Sequence, residues 1–468
     1  MRRVWVVALI GALSSPSVAN AGNSDEVNAG LDVTLTGGAV VATTYTGAAL
    51  WYNPAGLARI DKPSLELTGI TINMQIVKNP GLLTIDTMPQ SQSEGAGFNV
   101  SIIPQAITFS LKLKNEDLKL GIGLFNSSIR QEFITEKAIS PPSASPEIES
   151  YAGRNSRLNF FHISSGLATQ FGKNRKQKVL FGGAFDLVIA SARVDDSYTV
   201  FYDKGAAGQV SSSQVQTQTG FGFQLKAGLQ WVPIKPLRIG FSVAAPTYVF
   251  AALERFATAY SQAPPAGTPD DPSDPNRQLA RGSEDRGGRG VWWGVEPGNL
   301  RFGLAYGGDW GWVEADLIYY FRLREQELGL DLRGFLNGRI GSAFRVTKHI
   351  KLGLGLFTDF SQVDELARLP LATRKIDYFG VHLGFLYSTD EVHPDRQTES
   401  DNEGLGISIA IGIRYAHGRG DTLGLLVPGQ YDPSLIQTCT NPSQPDNCVP
   451  VATKANEIGI NLGAKVAF

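Results

Sequence analysis

The side chains that could do chemistry are few. Glu314 and Asp316 stand two residues apart. In a strand that spacing puts both carboxylates on one face, and paired carboxylates can divide acid and base work. His162 and Ser164 have the same spacing. A hydrolase would need a third group to orient that imidazole, and no hydrolase motif surrounds the pair. The preferred reading of both pairs is not catalytic, with Glu314 and Asp316 as solvated charges on a polar strand face. The five histidines show no metal-ligand spacing. Cys439 and Cys448 share a polar, Pro- and Asn-rich segment. In an oxidising compartment a disulfide closing a small loop is expected. Their spacing fits neither a C-x-x-C redox pair nor a zinc site. No nucleotide motif is present. The expectation is a protein that is not an enzyme and needs no metal or cofactor.

The elements that must position these residues follow from the N-terminus onward. Arg2 and Arg3, the short apolar run Val4–Leu13 and Ala19-Asn20-Ala21 together read as a signal peptide over 1–21. No Cys follows the cleavage site, which argues against a lipoprotein anchor. No later apolar run approaches the roughly 18 residues of a spanning helix. Charged residues make up 18%, below the roughly 25% of soluble proteins. The net charge of −2 argues against nucleic acid as a partner.

Residues 22–62 carry no period of two. Thr34–Ala49 is small and weakly apolar, interrupted by Gly37, Gly38 and Gly47. This region reads as a plug, or hatch, rather than a strand. It ends in Asn53-Pro54-Ala55-Gly56, a turn with a mechanism. Asn can bond its own backbone, Pro fixes φ, and Gly permits φ > 0.

From Pro63 to Phe468 the pattern alternates. In Leu405–Tyr415 the odd positions are large and apolar. The even ones are Gly406, Ser408, Ala410, Gly412 and Arg414. Near the C-terminus Ile458, Ile460 and Leu462 share one face, while Glu457, Gly459 and Asn461 share the other. Strands of roughly ten residues with this alternation are the signature of a transmembrane barrel. Fourteen such segments begin near residues 63, 98, 117, 155, 177, 215, 236, 298, 309, 333, 349, 374, 404 and 455. The count is even, as single-chain bacterial barrels require.

Connections after the even strands are short and those after the odd strands long, as periplasmic turns and external loops should be, the exception being Thr389–Glu403, a mid-length charged turn on the short side. The longest spans 253–297. Its charged part, Asp270–Arg289, is read as a solvated external loop, with cation or lipopolysaccharide binding as the alternative. Trp310, Trp312, Tyr319, Tyr320 and Phe321 cluster near strand ends, as interfacial girdles do. The inward positions read as small and neutral, which leaves room for a plug and suits apolar cargo. The terminal Phe468 resembles the signal read by the barrel-assembly machinery.

Two stretches carry a family resemblance. One is Trp51-Tyr52-Asn53-Pro54-Ala55-Gly56-Leu57 after the Gly/Ala-rich lead. The other is Val100–Ile107 leading into Leu120–Phe125. The chain resembles the FadL/TodX family of outer-membrane channels for long-chain fatty acids and hydrocarbons. The resemblance implies a hatch inside the barrel, its Asn-Pro-Ala corner beside an inward kink in strand 3. It also implies cargo leaving sideways through that kink.

The residues supply a kink of their own. Leu118, Leu120, Ile122 and Leu124 are even, whereas Ile129 and Phe133 are odd, so the phase changes within Phe125-Asn126-Ser127-Ser128. Strand 2 changes phase near Pro104. A hairpin turning at Asn115-Glu116 places Pro104 opposite Ser127, and Pro cannot donate to a ladder. Pro104, Asn126, Ser127 and Ser128 are therefore the expected lateral opening, with an ordinary bulge as the alternative. Asn53 is expected to satisfy backbone groups freed there.

The expected protein is an all-β, 14-stranded antiparallel transmembrane β-barrel of the bacterial outer membrane, with hatch 22–62 and barrel 63–468. It acts as a monomer among lipid and lipopolysaccharide and passively imports hydrophobic small molecules. The alternative is an adhesin, receptor or structural barrel working through its external loops.

Overall fold

The structure is a computed structural model. It describes residues 28–80, 83–85, 94–103, 105–113, 118–127, 130–140, 144, 147–171, 178–205, 208–263, 280–288, 296–325, 330–363, 374–390, 405–427 and 448–468. The signal-peptide reading, Pro104, Ser128 and Cys439 lie outside those residues. The expected disulfide therefore has one end outside them as well.

Fourteen antiparallel strands form one closed wall. They are β1 (Ser64–Pro80), β2 (Glu94–Ile103 and Ala106–Lys112), β3 (Leu118–Asn126 and Arg130–Ile139) and β4 (Ile148–Phe171). Then come β5 (Lys178–Tyr202), β6 (Gln209–Ile234), β7 (Leu237–Ala244 and Tyr248–Ala263) and β8 (Ala280–Gly288 and Asn299–Gly308). The wall continues as β9 (Gly311–Tyr320), β10 (Phe335–Arg345), β11 (Ile350–Asp359) and β12 (Arg374–Ser388). It ends with β13 (Gly406–Val427) and β14 (Cys448–Ala467). β14 pairs with β1 from Ser64↔Ala467 to Lys78↔Lys454, which closes the ring.

The alternation decides which face meets lipid. In β13, Ile407, Ile409, Ile411, Ile413 and Tyr415 are exposed by 40–50% while Ala410 and Arg414 between them are buried. Comparable outward apolar residues recur on the neighbouring strands, among them Leu304, Leu317 and Ile340. A continuous belt of this size is untenable in water and is what a bilayer requires.

Two expectations about the wall need correction. β7 runs on to Ala263 and β8 begins at Ala280, so the connection between them is shorter than 253–297. Ala280–Gly288 is dominated by charge and glycine and shows no period of two in hydrophobicity, so it read as loop. The aromatic cluster also splits. Trp310 and Tyr319 face outward, whereas Trp312 and Tyr320 are buried inward, Tyr320 stacking on Phe335 at 4.7 Å. Strand alternation gives adjacent residues opposite faces.

The segment 28–60 lies against the inner face of this wall. It contains α1 (Leu31–Thr36), α2 (Ala49–Tyr52) and a 3₁₀ turn, Pro54–Arg59. Its apolar residues are buried almost throughout, from Ala29 to Ile60. Where its backbone touches the wall, the wall residue is often glycine. A Cβ at Gly182 would overlap Pro54, one at Gly353 would overlap Leu35, and one at Gly240 would overlap Val41. Glycine here provides close approach rather than flexibility.

Candidate functional site

The N-terminal segment is tied to the wall by inward polar side chains. Asp316 on β9 accepts from the backbone N–H of Val40 at 2.8 Å and of Val41 at 3.1 Å. Glu314, two residues earlier, accepts from Ala42 N–H and from the Thr43 hydroxyl, both at 2.5 Å. On the opposite side Glu66 accepts from Leu31 N–H at 2.8 Å and the Thr68 hydroxyl accepts from Gly30 N–H at 2.8 Å. His382 Nε2 lies 2.7 Å from the carbonyl of Thr34. Glu314 and Asp316 are fully buried. They are anchors, and the expectation that they are solvated is overturned. Within the segment, burial pushes the Asp32 carboxyl above its ordinary range, opposed by Lys351 and Lys465.

The lumen is also far from neutral. Lys119, Asp186, Lys226, Arg301, Arg339 and Lys351 are all buried on inward positions. In sequence most of them stand between large apolar residues, as Leu118 and Leu120 flank Lys119 and Phe185 and Leu187 flank Asp186. Arg301 donates to the Trp51 carbonyl and Arg339 to the Gly38 carbonyl, both of the N-terminal segment, and Lys226 meets Asp186 of a neighbouring strand.

β3 breaks where the sequence changes phase. Its first half pairs with β4 up to Asn126↔Phe161, and its second half starts at Arg130↔Leu158. From Asn126↔Phe161 to Arg130↔Leu158 the register shifts by one residue, the mark of a bulge. β2 and β3 are laddered from Ala106↔Phe125 to Lys112↔Lys119, in the register that a turn at Asn115-Glu116 predicts. Beyond that, among the described residues, no ladder joins Glu94–Ile103 to Arg130–Ile139. The last bonds before the gap are Asn126 N–H to Gln105 C=O at 2.8 Å and Ser127 N–H to Phe160 C=O at 2.9 Å. β1 carries its own bulge between Thr68 and Ile70, where Gly69 adopts φ 76°.

Behind the break lies a chain of buried polar groups. The Ser127 hydroxyl donates to Glu296 Oε1 at 2.6 Å. His162 Nε2 lies 2.9 Å from Glu296 Oε2, and its Nδ1 lies 3.1 Å from Asp186 Oδ2. Asp186 also accepts from the Ser164 hydroxyl at 2.6 Å and pairs with the Lys226 ammonium, Nζ lying 2.6 Å from Oδ2. The Lys226 ammonium stands 4.0 Å over the Trp51 ring, and Trp51 packs edge-on against His162 with centroids 5.0 Å apart.

Ser127, His162 and Asp186 are connected in the order of a serine-hydrolase triad, Ser127 Oγ being 3.2 Å from His162 Nε2. The arrangement as built is electrostatic instead. A carboxylate oxygen faces each imidazole nitrogen, Glu296 Oε2 at Nε2 and Asp186 Oδ2 at Nδ1, and Ser127 Oγ lies closer to Glu296 Oε1 than to the ring.

The hatch motif is organised differently from a simple turn. Asn53 Oδ1 accepts from Ala55 N–H at 3.2 Å and caps the 3₁₀ turn, with Pro54 at its first position. Gly56 lies within that turn with an ordinary negative φ. It is glycine because a Cβ would overlap the Thr44 carbonyl. Asn53 Nδ2 donates to Val41 C=O at 2.8 Å and to Leu229 C=O of β6 at 3.1 Å. It faces β6, not the β3 break. The residue of the motif that meets the break is Trp51, which packs on Phe125 with centroids 5.6 Å apart. The turn chemistry of Asn53 was legible locally, but which wall it meets depends on how the segment lies in the closed barrel. Glu296 and Lys226 escaped sequence reasoning because nothing local marks either. His162 was visible only as half of a pair with Ser164.

Neither a protein-family model nor a curated protein matches this chain. Solved structures do. One is a FadL homologue from Pseudomonas aeruginosa, at 13% identity and TM-score 0.53, covering 97% of this chain and 99% of that one. Another is the toluene transporter TodX from P. putida, at 15% identity and TM-score 0.57, covering 96% and 99%. A third is the toluene transporter TbuX from Ralstonia pickettii, at 13% identity and TM-score 0.53, covering 95% and 99%. At these identities the likeness is one of fold, and the fold is that of the FadL/TodX barrels.

Proposed function

We propose that this barrel is a bacterial outer-membrane channel for the passive uptake of hydrophobic small molecules, either long-chain fatty acids or aromatic hydrocarbons. Cargo leaves sideways between β2 and β3. The observation that carries this reading is the interrupted β2–β3 ladder, with the β3 bulge at its foot. The N-terminal segment supports it. Acting as the hatch, it packs the lumen from β1 to β13, so apolar cargo is better served by an exit through the wall than by a straight bore. The solved barrels of this fold that are toluene transporters support the cargo class. In this reading Asn53, Pro54, Ala55 and Gly56 form the rigid corner of the hatch. Pro104, Asn126, Ser127 and Ser128 form the opening. The chain works as a monomer, inserted by the barrel-assembly machinery among lipid and lipopolysaccharide.

The test is a disulfide across the foot of the gap. Gln105 and Asn126 are joined through their backbones, so the double variant Gln105→Cys, Asn126→Cys can staple β2 to β3. Uptake of labelled oleate or toluene should fall at least about tenfold when the pair is oxidised, and return on reduction. Equal uptake in both redox states sinks lateral exit.

A further inference from the structure

Above the apolar belt, three cations stand side by side on the outside of the wall. Lys78 of β1 is paired with Lys454 of β14, and Lys454 with Arg419 of β13. All three are exposed, at the end of the wall opposite the short turns. The belt ends just beneath them, at Ile76, Ile458 and Tyr415. Like charges directly opposite one another on neighbouring strands are destabilising, so the row costs stability unless an anion lies among its members. Among the described residues no carboxylate forms an ion pair with Lys78 or Lys454. Asp377, paired with Arg419 across β12, is already engaged. It accepts from the Ser361 N–H at 2.8 Å and lies 3.5 Å from the Arg333 guanidinium. Asp421, on the next row outward, is paired with Lys375.

Arg419 is held in place from below. Its Nε donates to His417 Nε2 at 3.2 Å, His417 Nδ1 lies 2.9 Å from Asn456 Oδ1, and the Tyr415 hydroxyl donates to that same oxygen at 3.0 Å. The two terminal guanidinium nitrogens have no partner among the described residues, and a guanidinium fork fixed in this way matches a phosphate. Tyr415 also forms one rim of a recess of about 590 Å³ in the lipid face, whose apolar sides include Leu317, Ile340, Leu356 and Phe379. Gly338 makes the dent. Leu336 and Ile340, its neighbours on the same face, are large and exposed, whereas a Cβ at Gly338 would meet nothing within 4 Å. The β10–β11 ladder ends beside it at Arg339↔Phe357, and the Thr358 hydroxyl accepts from the Gly338 N–H at 2.9 Å.

We infer that the cation row and the recess are two halves of one seat, for an outer-leaflet lipid whose headgroup carries a phosphate monoester. The phosphate lies among Lys78, Lys454 and Arg419, and an acyl chain passes Tyr415 into the recess. A phosphate monoester carries a charge of about −1.5 to −2 near neutral pH, so it offsets the repulsion along the row. Free phosphate would do the same but has nothing to place in the recess, four residues below Arg419 at Tyr415 on the same strand face. The inference rests on the outer-membrane reading of the barrel and names one lipid of its surroundings.

The experiment titrates dipalmitoyl phosphatidate, dipalmitoylglycerol and inorganic phosphate, each separately, into the full chain in a nonionic detergent, with retention read by native mass spectrometry. The unaltered chain should hold phosphatidate at least about tenfold more tightly than dipalmitoylglycerol. The triple variant Lys78→Ala, Arg419→Ala, Lys454→Ala should bind phosphatidate about tenfold or more weakly. Gly338→Leu fills the recess and leaves the row intact, and should weaken phosphatidate about threefold. Equal binding of phosphatidate and dipalmitoylglycerol overturns the inference, as does a triple variant that binds phosphatidate unchanged. Inorganic phosphate held as tightly as phosphatidate, or Gly338→Leu without effect, overturns it in favour of a free-anion site. Should the triple variant fail to insert, Lys454→Gln decides, with phosphatidate expected to bind about threefold more weakly. No change there overturns the inference. Toluene and oleate uptake by the unaltered chain separates the two readings. Absent uptake with phosphatidate binding intact sinks the channel and keeps the seat, whereas uptake without that binding sinks the seat alone.

Discussion

Replacing Glu314 and Asp316 together by alanine is expected to release the N-terminal segment from the β9 side and turn a closed barrel into an ion-conducting one. The two carboxylates hold four donors, the N–H groups of Val40, Val41 and Ala42 and the hydroxyl of Thr43. All four are buried, and alanine offers them nothing in return. An orphaned buried donor costs roughly 1–3 kcal/mol, so together the four approach the whole stability of many domains, about 5–15 kcal/mol. The wall does not share that loss, because its ladders on either side of β9 remain, Gly303↔Asp316 and Asp316↔Arg339 included. The segment should leave while the barrel stays closed. Single-channel recording of folded protein should then show a large, steady conductance absent from the unaltered chain. The pair Glu314→Gln, Asp316→Asn keeps one acceptor oxygen at each site and should show a much smaller change. A folded alanine double variant that conducts no better than the unaltered chain would mean that the segment is held elsewhere, for instance by Glu66 and His382.

Asp186→Asn is expected to be among the most destabilising single changes in the wall. Its carboxylate is the meeting point of Ser164, His162 and Lys226, at 2.6, 3.1 and 2.6 Å. The amide keeps the shape and loses the negative charge that faces Lys226 and His162. Breaking one side of a buried ion pair costs about 3–5 kcal/mol, whereas replacing the whole pair by apolar groups is often neutral. The double variant Asp186→Asn, Lys226→Met should therefore recover much of the loss, and the non-additivity measures the coupling. The denaturant midpoint of the barrel, followed by heat-modifiable mobility on gels, reports both. A midpoint unmoved by Asp186→Asn would show that the cluster is solvated and contributes little. These charges are buried, so salt should alter the result far less than it would for a surface pair.

How much of this was legible beforehand differs between wall and contents. The wall was legible because lipid imposes a local rule. Outward residues must be apolar whatever their neighbours, so a period of two survives in each strand and can be counted without knowing the fold. Even the β3 bulge was visible, because an extra residue moves every later side chain to the other face, as Leu124 and Ile129 show. The β2–β3 register followed from the hairpin for the same local reason.

The contents obey no such rule. Glu314 read as solvated because its neighbours in sequence are strand residues. Its real partners are Ala42 and Thr43, 272 and 271 residues away. Asn53 capped its own turn as its type predicts, yet it faces β6 while Trp51 takes the place beside the break. Glu296 and Ser127 are 169 residues apart and meet only because the wall closes on itself. Residue types and their alternation were enough to determine a fourteen-stranded wall, its inward and outward faces, and the height at which the β3 register shifts. Only the closed barrel decided which inward charges meet. Closure brings distant strands within hydrogen-bond reach, and the cost of burying a charge depends on what it then touches.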